Sequence, residues 1–269
     1  MRRLLLGAAL LATPALAAEN AVPSCYRAIP IGVAAPAPQR DVFVFIDQTT
    51  PLPADIKTAV DDNVRRLVRP GTRFTIASFS AFAQGRATTV QSSGTVETGI
   101  APQRRGDVSV ALLKKFDTCL AQQAPYAGRL AVATVDKAIA GASNDLAKSD
   151  VLASLSQLSV RVAASRARDK TVIIVSDMIE NSGVTSFYAR KKLRRIDPQV
   201  ELDKVAKAEV GGNFGGARIY VIGGALLPDN GYRAEPELKA LERFWDAWFR
   251  GSQAKLVEFG RPNLVNPID

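Results

Sequence analysis

Two uninterrupted apolar runs, each ending in an aspartate, constrain this chain more than anything else in it. Val42-Phe43-Val44-Phe45-Ile46 leads into Asp47, and Thr171-Val172-Ile173-Ile174-Val175-Ser176 leads into Asp177. Both runs are rich in β-branched or aromatic residues and show no polar–apolar alternation. A strand with one covered face alternates. A strand that reads apolar throughout is covered on both faces, as in a parallel sheet between helical layers. In open α/β sheets, ligands sit beyond the carboxyl ends of the strands, where the strand order reverses. Two carboxylates at two such ends can meet if their strands are neighbours. Close like charges repel, and a divalent cation with hard oxygen ligands, Mg²⁺ or Mn²⁺, relieves the repulsion.

The rest of the chain supplies the helices such a sheet needs. After the first strand (42–46), Pro53-Ala54-Asp55 opens a helix that runs to about Arg69, with acids early and arginines late, as the helix dipole favours. Pro70-Gly71 stops it. A second strand follows from Arg73 to Phe79, and a third lies between Arg86 and Thr98, interrupted by Ser92-Ser93-Gly94. The short connection makes these two an antiparallel hairpin at the sheet edge. Helix is expected from about 108 to 140 with a break at Pro125, and again from a cap at Ser149-Asp150 to about Ala167. The fourth strand is 171–176. Basic helical sequence is expected over roughly 184–209, then a glycine-rich loop at 211–216, a fifth strand at 218–222, a helix at 235–249 and a last strand at 255–259. The expectation is one α/β doubly wound domain, with a mostly parallel six-stranded sheet in the order 3-2-1-4-5-6. Only strand 3 is antiparallel, and helices cover both faces. Trp245 and Trp248 share a helix face with Leu241 and Phe244, which reads as core packing against the sheet.

The N-terminus reads as an export signal over 1–17. Arg2-Arg3 precede an apolar stretch from Leu4, and Ala15-Leu16-Ala17 is a small-x-small cleavage pattern. The stretch is shorter than a membrane span, and no later run is long enough for one. Residues 18–40 are Pro- and Ala-rich and read as a linker. The domain itself is placed at 41–262, and 263–269 as a tail. The 269-residue chain carries +9, which becomes +7 without Arg2 and Arg3. For an exported chain this favours anionic envelope surfaces or acidic proteins over nucleic acid. The densest basic run, Arg190, Lys191, Lys192, Arg194 and Arg195, follows the Asp177 loop and is a candidate contact for such a surface. Cys25 and Cys119 form an even pair, and an oxidising compartment favours a disulfide between them; the alternative is a free buried Cys119.

Three motifs bear on function. Asp47-Gln48-Thr49-Thr50-Pro51 sets a carboxylate and a hydroxyl two residues apart in a strand-to-helix turn. Ser149-Asp150 opens the helix before strand four. Ser176-Asp177-Met178-Ile179-Glu180-Asn181-Ser182 is a polar cluster after an apolar strand. In this order they resemble the von Willebrand factor type A domain and its metal-ion-dependent adhesion site, over about residues 41–260. The resemblance implies Asp47, Thr49, Ser149 and Asp177 as metal ligands and a partner carboxylate that completes the coordination. The chain departs from the pattern twice. Pro51 offers no oxygen where the family has a hydroxyl, and Ser149 stands for a threonine.

Composition weighs against several enzymes. The chain has no histidine, so Ser-His-Asp and Cys-His nucleophiles and His-bound zinc are absent. Thr49 stands where Asp-x-Asp phosphatases need their second acid. The glycines at 211–216 precede a strand, so they are not a phosphate cradle. Ser252-Gln253-Ala254-Lys255 fits Ser-x-x-Lys but has no companion motif. The reading is an exported binding module for another envelope protein. A metal-dependent hydrolase or phosphoryl-transfer enzyme, and a metal-free structural envelope component, stay open as alternatives.

Overall fold

The computed structural model describes residues 20–80, 88–143, 149–189, 192–226 and 235–269. The export signal expected at 1–17 lies outside them, as do Arg190 and Lys191. A six-stranded sheet forms the centre. Its strands are β1 (Arg40–Asp47), β2 (Thr72–Phe79), β3 (Thr89–Val96), β4 (Asp169–Val175), β7 (Ala217–Ile222) and β8 (Ala254–Phe259). A two-stranded hairpin, β5 (Tyr188–Ala189) with β6 (Lys192–Leu193), lies apart. The sheet order is β3-β2-β1-β4-β7-β8. Only the β2–β3 pair is antiparallel. Counted by sheet strands alone, this is the expected order 3-2-1-4-5-6.

The register explains the apolar runs. Odd residues of β1, Phe43 and Phe45, join Val172 and Ile174 of β4 on one face. There they meet α4 (Val151–Ala163), α5 (Pro198–Lys207) and α6 (Glu235–Gly251). Even residues Val42, Val44 and Ile46 join Ile173 and Val175 on the other face, against α2 (Ala54–Leu67) and α3 (Val110–Ala140). Successive strand residues point to opposite faces, so a strand covered twice has no polar position to alternate with. Each fully buried aliphatic or aromatic side chain contributes roughly 1.5–3 kcal/mol of transfer free energy.

The structure corrects four local expectations. Pro125 does not break α3, which runs unbroken from Val110 to Ala140. Pro125 is exposed, so water can satisfy the backbone carbonyl it leaves without a donor. Ser92-Ser93-Gly94 does not interrupt β3: these residues pair in register with Ile76, Thr75 and Phe74, and the one register shift lies next to them, between Ile76 and Ala77, where Gln91 is the extra residue. The single helix expected over 184–209 is a hairpin followed by the shorter α5. Asp197 caps α5 by accepting from Gln199 and Val200 N–H at 3.0 and 3.3 Å, with Pro198 in the first turn. The helix opened by Ser149-Asp150 ends at Ala163, earlier than expected.

Within the segment read as a linker lies α1 (Cys25–Ala28). Cys25 and Cys119 form a disulfide with a Cα–Cα separation of 5.8 Å. Glu97 accepts the Cys25 N–H at 2.7 Å, and Tyr26 packs edge-on against Phe116 at 4.7 Å. At the other end of the chain, Ile268 is buried and donates its N–H to Asn63 Oδ1 at 2.9 Å. Among the described residues, no helix is long and apolar enough to cross a membrane.

Candidate functional site

Asp47 closes β1, and Asp177 follows β4 by two residues. Because β1 and β4 are paired in parallel, with Ile46 opposite Val175, the two loops emerge side by side. Both carboxyl groups are buried, each 3% exposed. Asp47 Oδ1 accepts the Thr49 N–H at 2.9 Å and the Thr49 hydroxyl at 2.6 Å. An aspartate that folds back on the residue two ahead fixes a tight turn. Asp47 Oδ2 accepts the Ser176 hydroxyl at 2.7 Å. Thr49 Oγ1 and Ser149 Oγ share a hydrogen bond at 3.1 Å, and Ser149 also bonds the Asp47 carboxyl. The structure thus brings Asp47, Thr49 and Ser149 into one hydrogen-bonded cluster. Asp177 joins it electrostatically, through the charge of Asp47.

Asp177 has its own ring of donors. The Thr50 hydroxyl donates to Oδ2 at 2.9 Å, the Tyr188 hydroxyl to the same oxygen at 3.2 Å, and the Ile179 N–H to Oδ1 at 2.8 Å. The loop that holds it is strained at Met178, whose φ is 59°. The left-handed conformation is costly for a methionine and persists only when neighbours over-determine it. Here they do. Met178 N–H donates to Ser176 Oγ at 2.9 Å, its carbonyl accepts Trp245 Nε1 at 2.8 Å, and Ala225 N–H donates to the Asp177 carbonyl at 2.8 Å. The two tryptophans are therefore core residues, and one of them also buttresses the site loop.

The electrostatics follow from this geometry. Burial raises the Asp47 carboxyl above its usual range, against the hydrogen bonds from Thr49, Ser176 and Ser149. Asp177 is pushed up to about 7, first by burial and then by the charge of Asp47. The hydrogen bonds to both carboxyls come from hydroxyls and backbone N–H groups. Without a cation, the pair eases its repulsion by keeping a proton near neutrality.

Among the described residues, no three His, Cys, Asp or Glu side chains gather as a metal-binding group. Any cation at this end of the sheet would have two carboxylates with hydroxyls around them. That donor set, all oxygen, suits Mg²⁺ or Mn²⁺.

Sequence reasoning missed four residues here. Thr50, next to the oxygen-free Pro51, supplies a hydroxyl to Asp177. Ser176 and Tyr188 also donate to the carboxyls, and Glu180 reaches the first turn of α4. Ser149 and Asp150 were read as the cap of α4, but Asp150 makes no side-chain cap bond; Glu180 Oε2 accepts the Leu152 N–H at 2.9 Å instead. The density of polar residues in 176–182 was the available signal for Glu180. Of the basic run, Arg194 is tied to the fold: it donates to the Ser186 carbonyl at 2.6 Å and pairs with buried Glu201 at 2.7 Å. Arg195 is exposed.

No family model matches the chain, and no curated protein matches it. Solved structures with some likeness include proximal thread matrix protein 1 from the mussel byssus, at 16% identity and a TM-score of 0.31. That match covers 76% of this chain, and the chain spans 41% of the mussel protein. An aerotolerance-related membrane protein from Bacteroides fragilis NCTC 9343 is similar at 11% identity and a TM-score of 0.36, covering 81% of this chain and 91% of that one. The PilB minor pilin from Streptococcus sanguinis is similar at 13% identity and a TM-score of 0.35, with 81% and 62% covered. Likeness at this level carries no argument about function. The class rests on the sheet itself: a Rossmann-like α/β domain with two aspartates at the carboxyl ends of adjacent central strands.

Proposed function

We propose that the chain is an exported binding module of von Willebrand factor type A character, which uses this end of the sheet to bind another envelope protein with the help of a divalent cation. The observation that carries the reading is the pair of buried carboxyls, Asp47 and Asp177, whose hydrogen bonds, among the described residues, come only from hydroxyls and backbone N–H groups. A buried pair of acids without a cationic partner is costly. A cation removes that cost, so the site gains from binding one. Asp47, Thr49, Ser149 and Asp177 would hold it, with Thr50 and Ser176 orienting the carboxyls. With only two carboxylates in the set, a bound Mg²⁺ or Mn²⁺ would keep electrophilic character and attract an acidic group on the partner. The +7 charge that remains of +9 without Arg2 and Arg3 would draw such a partner in over longer distances.

Binding is favoured over catalysis because the carboxyls are buried and already engaged by donors, and because the chain has no histidine to activate a serine or cysteine nucleophile. The test is capture of solubilised envelope proteins on the immobilised mature chain, with Mg²⁺ and with EDTA. The expected result is at least one protein retained by the wild type with Mg²⁺ and lost with EDTA. Asp177→Asn should lose it under both conditions. An identical captured set in EDTA would contradict the cation's role and favour a metal-free envelope component. Phosphoester turnover lost in Asp177→Asn would move the reading to a hydrolase.

A further inference from the structure

Glu180 lies three residues beyond Asp177 and is fully buried. A carboxyl in that position is costly unless it is put to use. Its Oε2 accepts the Leu152 N–H at 2.9 Å, and the Val151 N–H also bonds the carboxyl. These are the first backbone donors of α4, which have no partner within the helix. The helix's own cap residue, Asp150, makes no side-chain cap bond, so the cap crosses over from the β4 loop. Ser149, just before the helix, is joined to the same loop by two backbone hydrogen bonds with Asn181, at 3.2 and 2.9 Å. The Ser149 hydroxyl then meets Thr49 and Asp47. Glu180 Oε2 is directed at the first turn of α4. Its influence on the site runs through Ser149.

We propose that Glu180 is a positioning residue: by capping α4 from the Asp177 loop, it locks the Ser149 hydroxyl against Thr49 and Asp47 and makes the two halves of the site one rigid unit. The consequence for cation binding rests on the function proposed above; the consequence for the loop does not. Burial pushes the Glu180 carboxyl up to about 8, so near pH 7 it is held largely as the neutral acid. Glutamine is then close to an isostere: it keeps a carbonyl acceptor for the Leu152 N–H.

The experiment compares four variants of the mature chain with wild type. Glu180→Ala removes the cap, Glu180→Asp withdraws it by one methylene, and Glu180→Gln keeps it. Leu155→Ala loosens the buried face of α4 without touching the cap. Each is titrated with Mn²⁺ by calorimetry at a temperature where it is folded. Amide exchange at Ser149 and Asn181 is read relative to Ile173 in the central strand β4. Glu180→Ala should weaken Mn²⁺ binding roughly tenfold or more, in the range expected for residues that orient metal ligands, and should speed relative exchange at Ser149 and Asn181 at least as much. Glu180→Asp should change both in the same direction, and it stands in if the alanine variant fails to fold. Glu180→Gln and Leu155→Ala should match wild type in Mn²⁺ affinity and relative exchange. Mn²⁺ affinity in Glu180→Ala or Glu180→Asp equal to that of Leu155→Ala would overturn the proposal. If wild type binds no Mn²⁺, the reading of function fails and exchange alone decides. Faster exchange in the alanine or aspartate variant then sustains the positioning role, and unchanged exchange overturns it.

Discussion

Between pH 5 and pH 8 the cation-free protein should lose thermal stability as the pH rises, its midpoint falling by roughly 10 °C. The cause is the set of buried acids. Asp177 is raised from 3.8 to about 7 and Glu180 from 4.5 to about 8, burial being the larger cause in each. Asp47 and the partly buried Asp61 are also raised, chiefly by burial. A carboxyl raised in the folded state keeps its proton while the unfolded chain has given its own up. Its contribution is therefore full below about pH 4 and is lost as the pH climbs to the folded value. Each unit of difference is ~1.4 kcal/mol, so the part of the Asp177 shift that lies between pH 5 and about 7 accounts for on the order of 3 kcal/mol. The acids whose values are lowered, Glu201, Asp117 and Glu235, act only as the pH falls toward or below their usual range. The window is otherwise quiet, because the chain has no histidine and its two cysteines are bridged. Melting curves in EDTA across this range check the slope. Asp177→Asn should remove a part of it and Asp177→Asn/Glu180→Gln most of it, and Mg²⁺ at pH 8 should restore part of the loss. A midpoint that rises from pH 5 to pH 8 would contradict this account of the buried pair.

Breaking the Cys25–Cys119 bridge should destabilise the fold by about 4–5 kcal/mol, on the chain-entropy view of cross-links that close long loops. The two cysteines are 94 residues apart. The bridge joins the N-terminal segment to α3, and Glu97 fastens the same segment by accepting from Ser24 and the Cys25 N–H at 2.5 and 2.7 Å. These attachments are at α3 and the end of β3, away from the β1 and β4 loops that carry the aspartates. Cys25→Ser/Cys119→Ser should lower the urea midpoint strongly while leaving cation affinity within about twofold of wild type. A midpoint within experimental error of wild type would show that the segment is held by its noncovalent contacts alone.

The sheet was legible because its chemistry is local. Val42 to Ile46 and Thr171 to Val175 read apolar because helices cover both faces, and the short link after β2 made the edge hairpin. The positions of Asp47 and Asp177 followed from the ends of those runs. The errors came where tertiary context decides. Pro125 breaks a helix only if its neighbourhood is dry, and it faces water. The basic stretch after Asp177 has helix-forming residues, but hydrogen bonds from Phe187 to Glu180 and from Arg194 to Phe187 hold it as a hairpin. The helix begins only at Pro198, capped by Asp197. At the site, Thr50 and Tyr188 were invisible because the direction of a hydroxyl depends on how its turn closes. Glu180 stood out only as one of the polar residues in 176–182, and its role could not be read because its partner Leu152 lies 28 residues earlier in the chain.

The most direct test of the account is calorimetric titration of the purified mature chain with Mg²⁺ and Mn²⁺, beside Asp47→Ala. The account predicts saturable binding of one ion per chain by the wild type. Its apparent affinity should fall as the pH drops below about 7, because the ion then competes with the proton on Asp177. No binding is predicted for Asp47→Ala, which should remain folded. Absence of binding by the wild type at pH 8, or equal binding by Asp47→Ala, would contradict the claim that these two aspartates are built to hold a cation.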